Sequence, residues 1–177
     1  MAEEEVVTIS PIASALKQLS ETIQSNPEKA RTKYASATAV LENGLKCRVM
    51  GPSGEHIETD MPAAMGGTGK AANPGWFFRA SLAACCSTVI AAQAARLGID
   101  LTKLQVTVEG EGDIRRMLGV DNRVSAGHSL IRTNVEIGAT NATPEQLRKL
   151  VEWATDHSPV CRTVRDATMN TLSVAIT

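Results

Sequence analysis

The sequence predicts an α+β fold in a single domain, because its helical and strand-like runs are grouped along the chain and do not alternate as βαβ units. Period-two runs cluster between residues 35 and 60, again between 104 and 137, and at the C-terminus, whereas capped helical runs open at Ser10, Asn73 and Thr143. Composition agrees: 177 residues, 43% apolar and 21% charged, are enough to bury roughly 70% of the unfolded surface without a disulfide or metal staple. Aromatics make up only 3%, so Ala, Val, Leu and Ile must fill the core and let elements approach closely.

The elements follow in order. Ser10-Pro11 opens a helix as N-cap and first-turn proline, Ile12, Ala15, Leu16, Leu19 and Ile23 recur at helical spacing, and Asn26-Pro27 ends it. Three strands are expected at Ala35 to Leu41, Leu45 to Met50 and His56 to Asp60, separated by the turns Asn43-Gly44 and Pro52-Ser53-Gly54. A Gly- and Pro-containing loop, Met61 to Ala72, leads into a long helix with Asn73 as N-cap, Pro74 at its first position and Gly98 as its stop. Apolar residues run almost all the way round this helix, which predicts burial on several sides.

After it, Leu104, Val106 and Val108 alternate with polar residues, as do Ile131, Thr133, Val135 and Ile137, giving two half-buried antiparallel strands across a polar loop from Arg115 to Gly127. Thr143-Pro144-Glu145-Gln146 is a capping box with Leu147, Leu150, Val151 and Ala154 on one face of the helix that follows. Ser158-Pro159 starts a second short helix, and the alternation of Leu172, Val174 and Ile176 predicts a closing strand.

Eighteen basic residues against 19 acidic ones leave a formal charge of -1, which argues against nucleic-acid or anionic-membrane partners, since these require clustered excess Lys and Arg. The longest apolar stretch, Ala80 to Ala95, is 16 residues between Arg79 and Arg96, short of the ~20 that span a bilayer. Four cysteines are too sparse for a secreted disulfide scaffold, and Met1-Ala2-Glu3-Glu4-Glu5 lacks the basic and apolar regions of a signal peptide. A reducing, cytoplasmic setting is expected.

The loop Met65-Gly66-Gly67-Thr68-Gly69-Lys70 is not a phosphate-binding loop, because Ala64 and Ala71 stand where that motif needs Gly and Ser or Thr. His56 and His128 are isolated on strands, and His157 is parted from Cys161 by a helix start that breaks zinc-ligand geometry, so no metal site is expected. Chemistry is left to the cysteines. Cys47 alternates with apolar neighbours and reads as a core residue, while Cys85 and Cys86 sit in mid-helix about 100° apart, away from any helix N-terminus. Cys161 lies in the first turn after Ser158 with Arg162 and Arg165 close by, where positive potential lowers a thiol pKa.

Asp60-Met61-Pro62, Met65-Gly66-Gly67, Asn73-Pro74, a helix bearing Ala83-Ala84-Cys85 twelve residues after Asn73, and a later His-x-Pro-Val helix start together resemble the OsmC/Ohr family of thiol-dependent hydroperoxide reductases. The resemblance spans Ala35 to Thr177 and leaves residues 1–30 as an added N-terminal helical segment. It implies antiparallel sheets packed around a long central helix in an intertwined homodimer with interfacial active sites. Cys85 matches the peroxidatic cysteine that cleaves an organic hydroperoxide to an alcohol and a sulfenic acid, the first step of cysteine oxidation. A second cysteine then closes a disulfide that an external dithiol such as dihydrolipoamide reduces, with no bound cofactor.

Three positions depart from the family pattern. Gly75 replaces the glutamate that holds an activating arginine, and the cations near the first hairpin or on the helix are Lys46, Arg48 and Arg79. Ser158 occupies the place of the resolving cysteine, which leaves Cys161 as the candidate second thiol. Trp76, Phe77 and Phe78, three of the chain's five aromatics, stand together in the first turn of the cysteine-bearing helix and suggest an apolar substrate pocket. Two other readings stay open: a catalytically degenerate protein holding an apolar ligand at the dimer interface, and a redox sensor built on Cys85 and Cys86.

Overall fold

The computed structural model describes residues 10–176. It is α+β, with four α-helices and five strands in two antiparallel sheets among those residues. Two compact units divide the described residues: 17–81, and 82–176 together with 10–16.

Helix α1, Pro11–Ser25, buries no residue. In the first unit, β1 (Thr38–Asn43), β2 (Lys46–Met50) and β3 (His56–Thr59) form a meander in the order β1-β2-β3. Gly44, at φ +57, makes the first turn as its sequence predicts, since a left-handed residue there matches hairpin twist. The segment after β3 is organised by one carboxylate. Asp60, 2% exposed, accepts hydrogen bonds from the N–H of Met61 (2.8 Å) and from the N–H and hydroxyl of Thr68 (2.9 and 2.5 Å). Those donors favour the charged form, the Thr68 hydroxyl most, and hold the Asp60 pKa below the usual carboxylate value. Gly67 completes the loop, because a Cβ there would overlap the Met61 carbonyl oxygen.

Helix α2, Pro74–Arg96, starts on Asn73, whose Oδ1 accepts from the Trp76 N–H at 2.9 Å. It stops at Gly98, whose left-handed φ of +65 lets the Ile99 N–H reach the Ala94 carbonyl at 2.9 Å. The 23 residues of α2 are long and apolar enough, by length and composition alone, to cross a membrane.

In the second unit, β4 (Leu101–Gly112) and β5 (His128–Ala139) pair from Leu101↔Ala139 to Gly112↔His128, longer than the alternating cores suggest. The intervening loop is tied by Asp113–Arg115 and Asp121–Arg123 pairs, and the Arg115 guanidinium pulls the Asp113 pKa down to about 2. Helix α3, Pro144–His157, carries the expected capping box: the Gln146 N–H donates to Thr143 Oγ1, and the Thr143 N–H donates to Gln146 Oε1. Helix α4, Pro159–Arg165, starts on Ser158. The core of this unit joins Cys86, Ile90 and Ala94 of α2 to Leu147, Leu150 and Ala154 of α3, with Leu104, Val106, Val135 and Ile137 of the sheet packed against them.

Two expectations are not met within the single chain described. Helix α2 is buried along one face only, Leu82, Cys86, Ile90 and Ala94, while Ser81, Ala84, Thr88 and Ala91 are exposed. Apolar composition all round records what a helix can bury, and one chain supplies cover for a single side. The C-terminal alternation also forms no strand: Leu172, Val174 and Ile176 are 89%, 72% and 95% exposed. A strand exists only where a neighbour takes up its backbone hydrogen bonds, and no strand of the described chain pairs with this segment.

Candidate active site

The helix start at Ser158-Pro159 and the middle of α2 meet. Ser158 Oγ donates to Cys85 Sγ at 3.1 Å and accepts from the Cys161 N–H at 3.4 Å, so one hydroxyl caps α4 and touches the α2 cysteine. Ser158 has no exposed surface, and Cys85 is half-buried. The position read from sequence as a helix cap and as the place of a missing cysteine is therefore the direct partner of Cys85. Seventy-three residues separate the two, and no local pattern signals the contact.

Cys86 faces the other way, into the core, and is fully buried. Cys161 packs against the same core cluster and lies beside Cys86, as does the Thr155 hydroxyl. Burial pushes the Cys86 thiol pKa up, and the neighbouring Cys161 adds to the effect. The divergence of Cys85 and Cys86 expected from helix geometry thus puts one sulfur on a hydroxyl and the other among apolar side chains.

Of the residues singled out by sequence, Ser158 is the N-cap expected and Cys161 the third residue of its helix. The nearby cations are paired: Arg162 with Asp166 at 2.7 Å and Arg165 with Asp156 at 2.8 Å. Lys46 and Arg48 both bridge Glu42 and Glu58 on the three-stranded sheet, at 2.6–3.4 Å. Arg79 makes no ion pair among the described residues, and its guanidinium reaches back a turn to within 3.7 Å of where a Gly75 Cβ would stand. Trp76 is half exposed and packs edge-on to Phe77 at 5.1 Å. It lines a cavity of about 280 Å³ together with Asp60, Pro62, Gly69, Ala71, Ala72 and Asn73, and neither Phe77 nor Phe78 is part of that lining. Cys47 is half-buried on β2 opposite Thr59 and Leu41. Sequence reasoning names Asp60 only as a strand end and as part of a family motif, and gives neither it nor Thr68 the contact that shapes the entry to α2. A lone acidic residue closing a strand just before a glycine loop was the available signal.

Residues 67–173, more than half of the chain, match the family model described as OsmC-like protein. The chain belongs to the OsmC-like family. Solved structures of OsmC-like proteins share its fold. The OsmC-like protein from Mycoplasma pneumoniae aligns with TM-score 0.65 at 20% identity, covering 76% of this chain and 89% of that one. An organic hydroperoxide resistance protein from Legionella pneumophila aligns with TM-score 0.54 at 22% identity, over 76% and 91%. A putative organic hydroperoxide resistance protein from Vibrio cholerae, with captopril bound in one of its active sites, aligns with TM-score 0.52 at 26% identity, over 76% and 87%. No curated protein sequence gives a significant match. In this OsmC-like chain the matched region holds Cys85, Cys86, Ser158 and Cys161.

Proposed function

We propose that this OsmC-like protein reduces organic hydroperoxides, including those of fatty acids, to alcohols, with Cys85 as the reacting thiol. The observation that carries the reading is the Ser158 hydroxyl donating to Cys85 Sγ at 3.1 Å, which gives that sulfur a donor suited to its anionic form. The thiolate attacks the distal oxygen of the hydroperoxide, the O–O bond breaks, and the alkoxide leaves and takes up a proton, while Cys85 becomes a sulfenic acid. An external thiol returns it to the reduced state.

Family membership supports the chemistry, and so do neighbours named for hydroperoxide resistance. Captopril is itself a small thiol, and its place in an active site of the Vibrio cholerae protein fits a site open to thiol reductants. Among Lys46, Arg48 and Arg79, only Arg79 lacks a carboxylate partner among the described residues, so of the three it is the cation whose charge is not already taken up by an ion pair. The setting is the cytoplasm, where thiols stay reduced.

The working form is a homodimer. Support comes from the exposed face of α2, small enough at Ala84, Thr88 and Ala91 for a close helix contact, and from the exposed alternating segment at Leu172, Val174 and Ile176. A second copy covers both.

Consumption of cumene hydroperoxide with dihydrolipoamide, measured for wild type and Cys85→Ser, tests the activity. Turnover that vanishes in the variant is expected; equal rates would overturn it. The cavity beside Trp76 favours a second reading, an apolar-ligand binder without peroxidase activity, which gains if wild type is inactive and binds a fluorescent fatty acid that Trp76→Ala does not.

A further inference from the structure

We propose that Cys85 is a one-thiol centre: Ser158 stands at bonding range of its sulfur, donates to it, and leaves the oxidised cysteine to an incoming thiol instead of an internal disulfide. The proposal rests on Cys85 being the cysteine that a hydroperoxide oxidises. Three observations carry it.

The first is the direction of the Ser158 hydroxyl. Its oxygen accepts the Cys161 N–H at 3.4 Å as helix cap, so its own hydrogen is left for Cys85 Sγ at 3.1 Å. With no exposed surface at Ser158, water does not compete for that hydrogen. The second is where the other thiols face. Cys161, half-buried, packs against the core cluster beside the fully buried Cys86, so its thiol is engaged with Cys86, while the group that stands on Cys85 Sγ is the Ser158 hydroxyl. The third is helix geometry. Cys85 and Cys86 project about 100° apart, so joining them would unwind α2 in the middle of its packed face.

The Ser158 hydroxyl therefore acts as a positioning group. It fixes the rotamer of Cys85 and stabilises negative charge on it, both as thiolate before reaction and as sulfenate after. The cycle balances with an external small thiol as reductant. A first thiol condenses with the Cys85 sulfenic acid, forming a mixed disulfide and releasing water. A second thiol group, from another molecule or from the same dithiol, attacks the mixed disulfide and releases the Cys85 thiol and the oxidised reductant.

Treatment of the full-length protein with one equivalent of cumene hydroperoxide in the presence of dimedone, followed by peptide mass mapping, reads the oxidised state directly. A dimedone adduct on Cys85 is expected; a Cys85–Cys161 disulfide in its place would overturn the proposal. Ser158→Cys with diamide reads the geometry independently of peroxidase activity. Because a sulfur at position 158 stands where the oxygen now touches Sγ, rapid formation of a disulfide between positions 85 and 158 is expected, and its failure to form would overturn the contact. Ser158→Ala, checked for native circular dichroism, moves the pH midpoint of Cys85 alkylation upward if the hydroxyl stabilises the thiolate, whereas an unchanged profile would remove that role. Should hydroperoxide leave Cys85 untouched while the Ser158→Cys disulfide and the Ser158→Ala shift both appear, the peroxidase reading falls and the positioning by Ser158 stands.

Discussion

Ser158 Oγ lies 3.1 Å from Cys85 Sγ, and Cys161, one turn after Ser158, packs beside Cys86. Neighbouring cysteines of one helix thus live in opposite surroundings, one half-buried on a hydroxyl and one sealed in the core. Their thiols should separate cleanly in reactivity. Under native conditions near neutral pH, iodoacetamide labels Cys47, Cys85 and Cys161 before Cys86, since Cys86 is both inaccessible and held protonated by burial. Time-resolved peptide mapping checks the order, and Cys86 reacting among the first would contradict the packing.

Asp60 should make stability fall at acid pH. Its hydrogen bonds from Thr68 and Met61 lower the folded-state pKa below the unfolded value, so the stabilisation is fully present above the unfolded carboxylate pKa, about 3.9. It is lost as pH falls through the lower folded value. Asp113, Asp121 and Glu42 are shifted the same way by Arg115, Arg123 and Arg48, so the wild-type slope contains all four. Thermal melts of wild type and Asp60→Asn from about pH 7 to about pH 2.5 isolate the Asp60 part: the variant melts lower at neutral pH, and the gap narrows with acid. A gap that widened would reverse the sign.

Gly67→Ala should be among the costly single changes in this chain. The added Cβ overlaps the Met61 carbonyl oxygen and stands 2.8 Å from Asp60 Oδ1, and both are fixed by hydrogen bonds that shape the loop. A loss of about 2–3 kcal/mol in urea unfolding is expected, at the upper end of ordinary point mutations. Gly69→Ala, at a left-handed φ of +67 with open space around it, pays only for backbone strain and should cost less.

The proposed dimer has a mass that can be weighed. Light scattering on the eluting protein should give twice the 18.8 kDa of one chain. Ala84→Glu, on the exposed face of α2, should shift the species toward one chain by placing a charge in the helix contact. Wild type eluting as a single chain would remove both the helix contact and the pairing of Leu172, Val174 and Ile176 with a second copy.

By itself the sequence determined what is local. Asn73 and Gly98 bound α2, Thr143 and Gln146 cap α3, and Gly44 turns β1 into β2, because each depends on backbone groups within a few residues, while the alternation around Val106 and Val135 marks the two faces of strands that pair across the intervening loop. The motif that places Cys85 on α2 was legible for the same reason. Tertiary structure decided what depends on contacts across the chain. That Ser158 reaches Cys85, that Cys161 turns to Cys86, and that Lys46 and Arg48 are already held by Glu42 and Glu58 follow from packing between elements distant in sequence or from pairing across strands. The two surfaces left uncovered in the single chain have the same origin. Apolar periodicity in α2 and alternation at Leu172, Val174 and Ile176 specify surfaces able to be covered, and whether they are covered is settled only by what a fold brings against them.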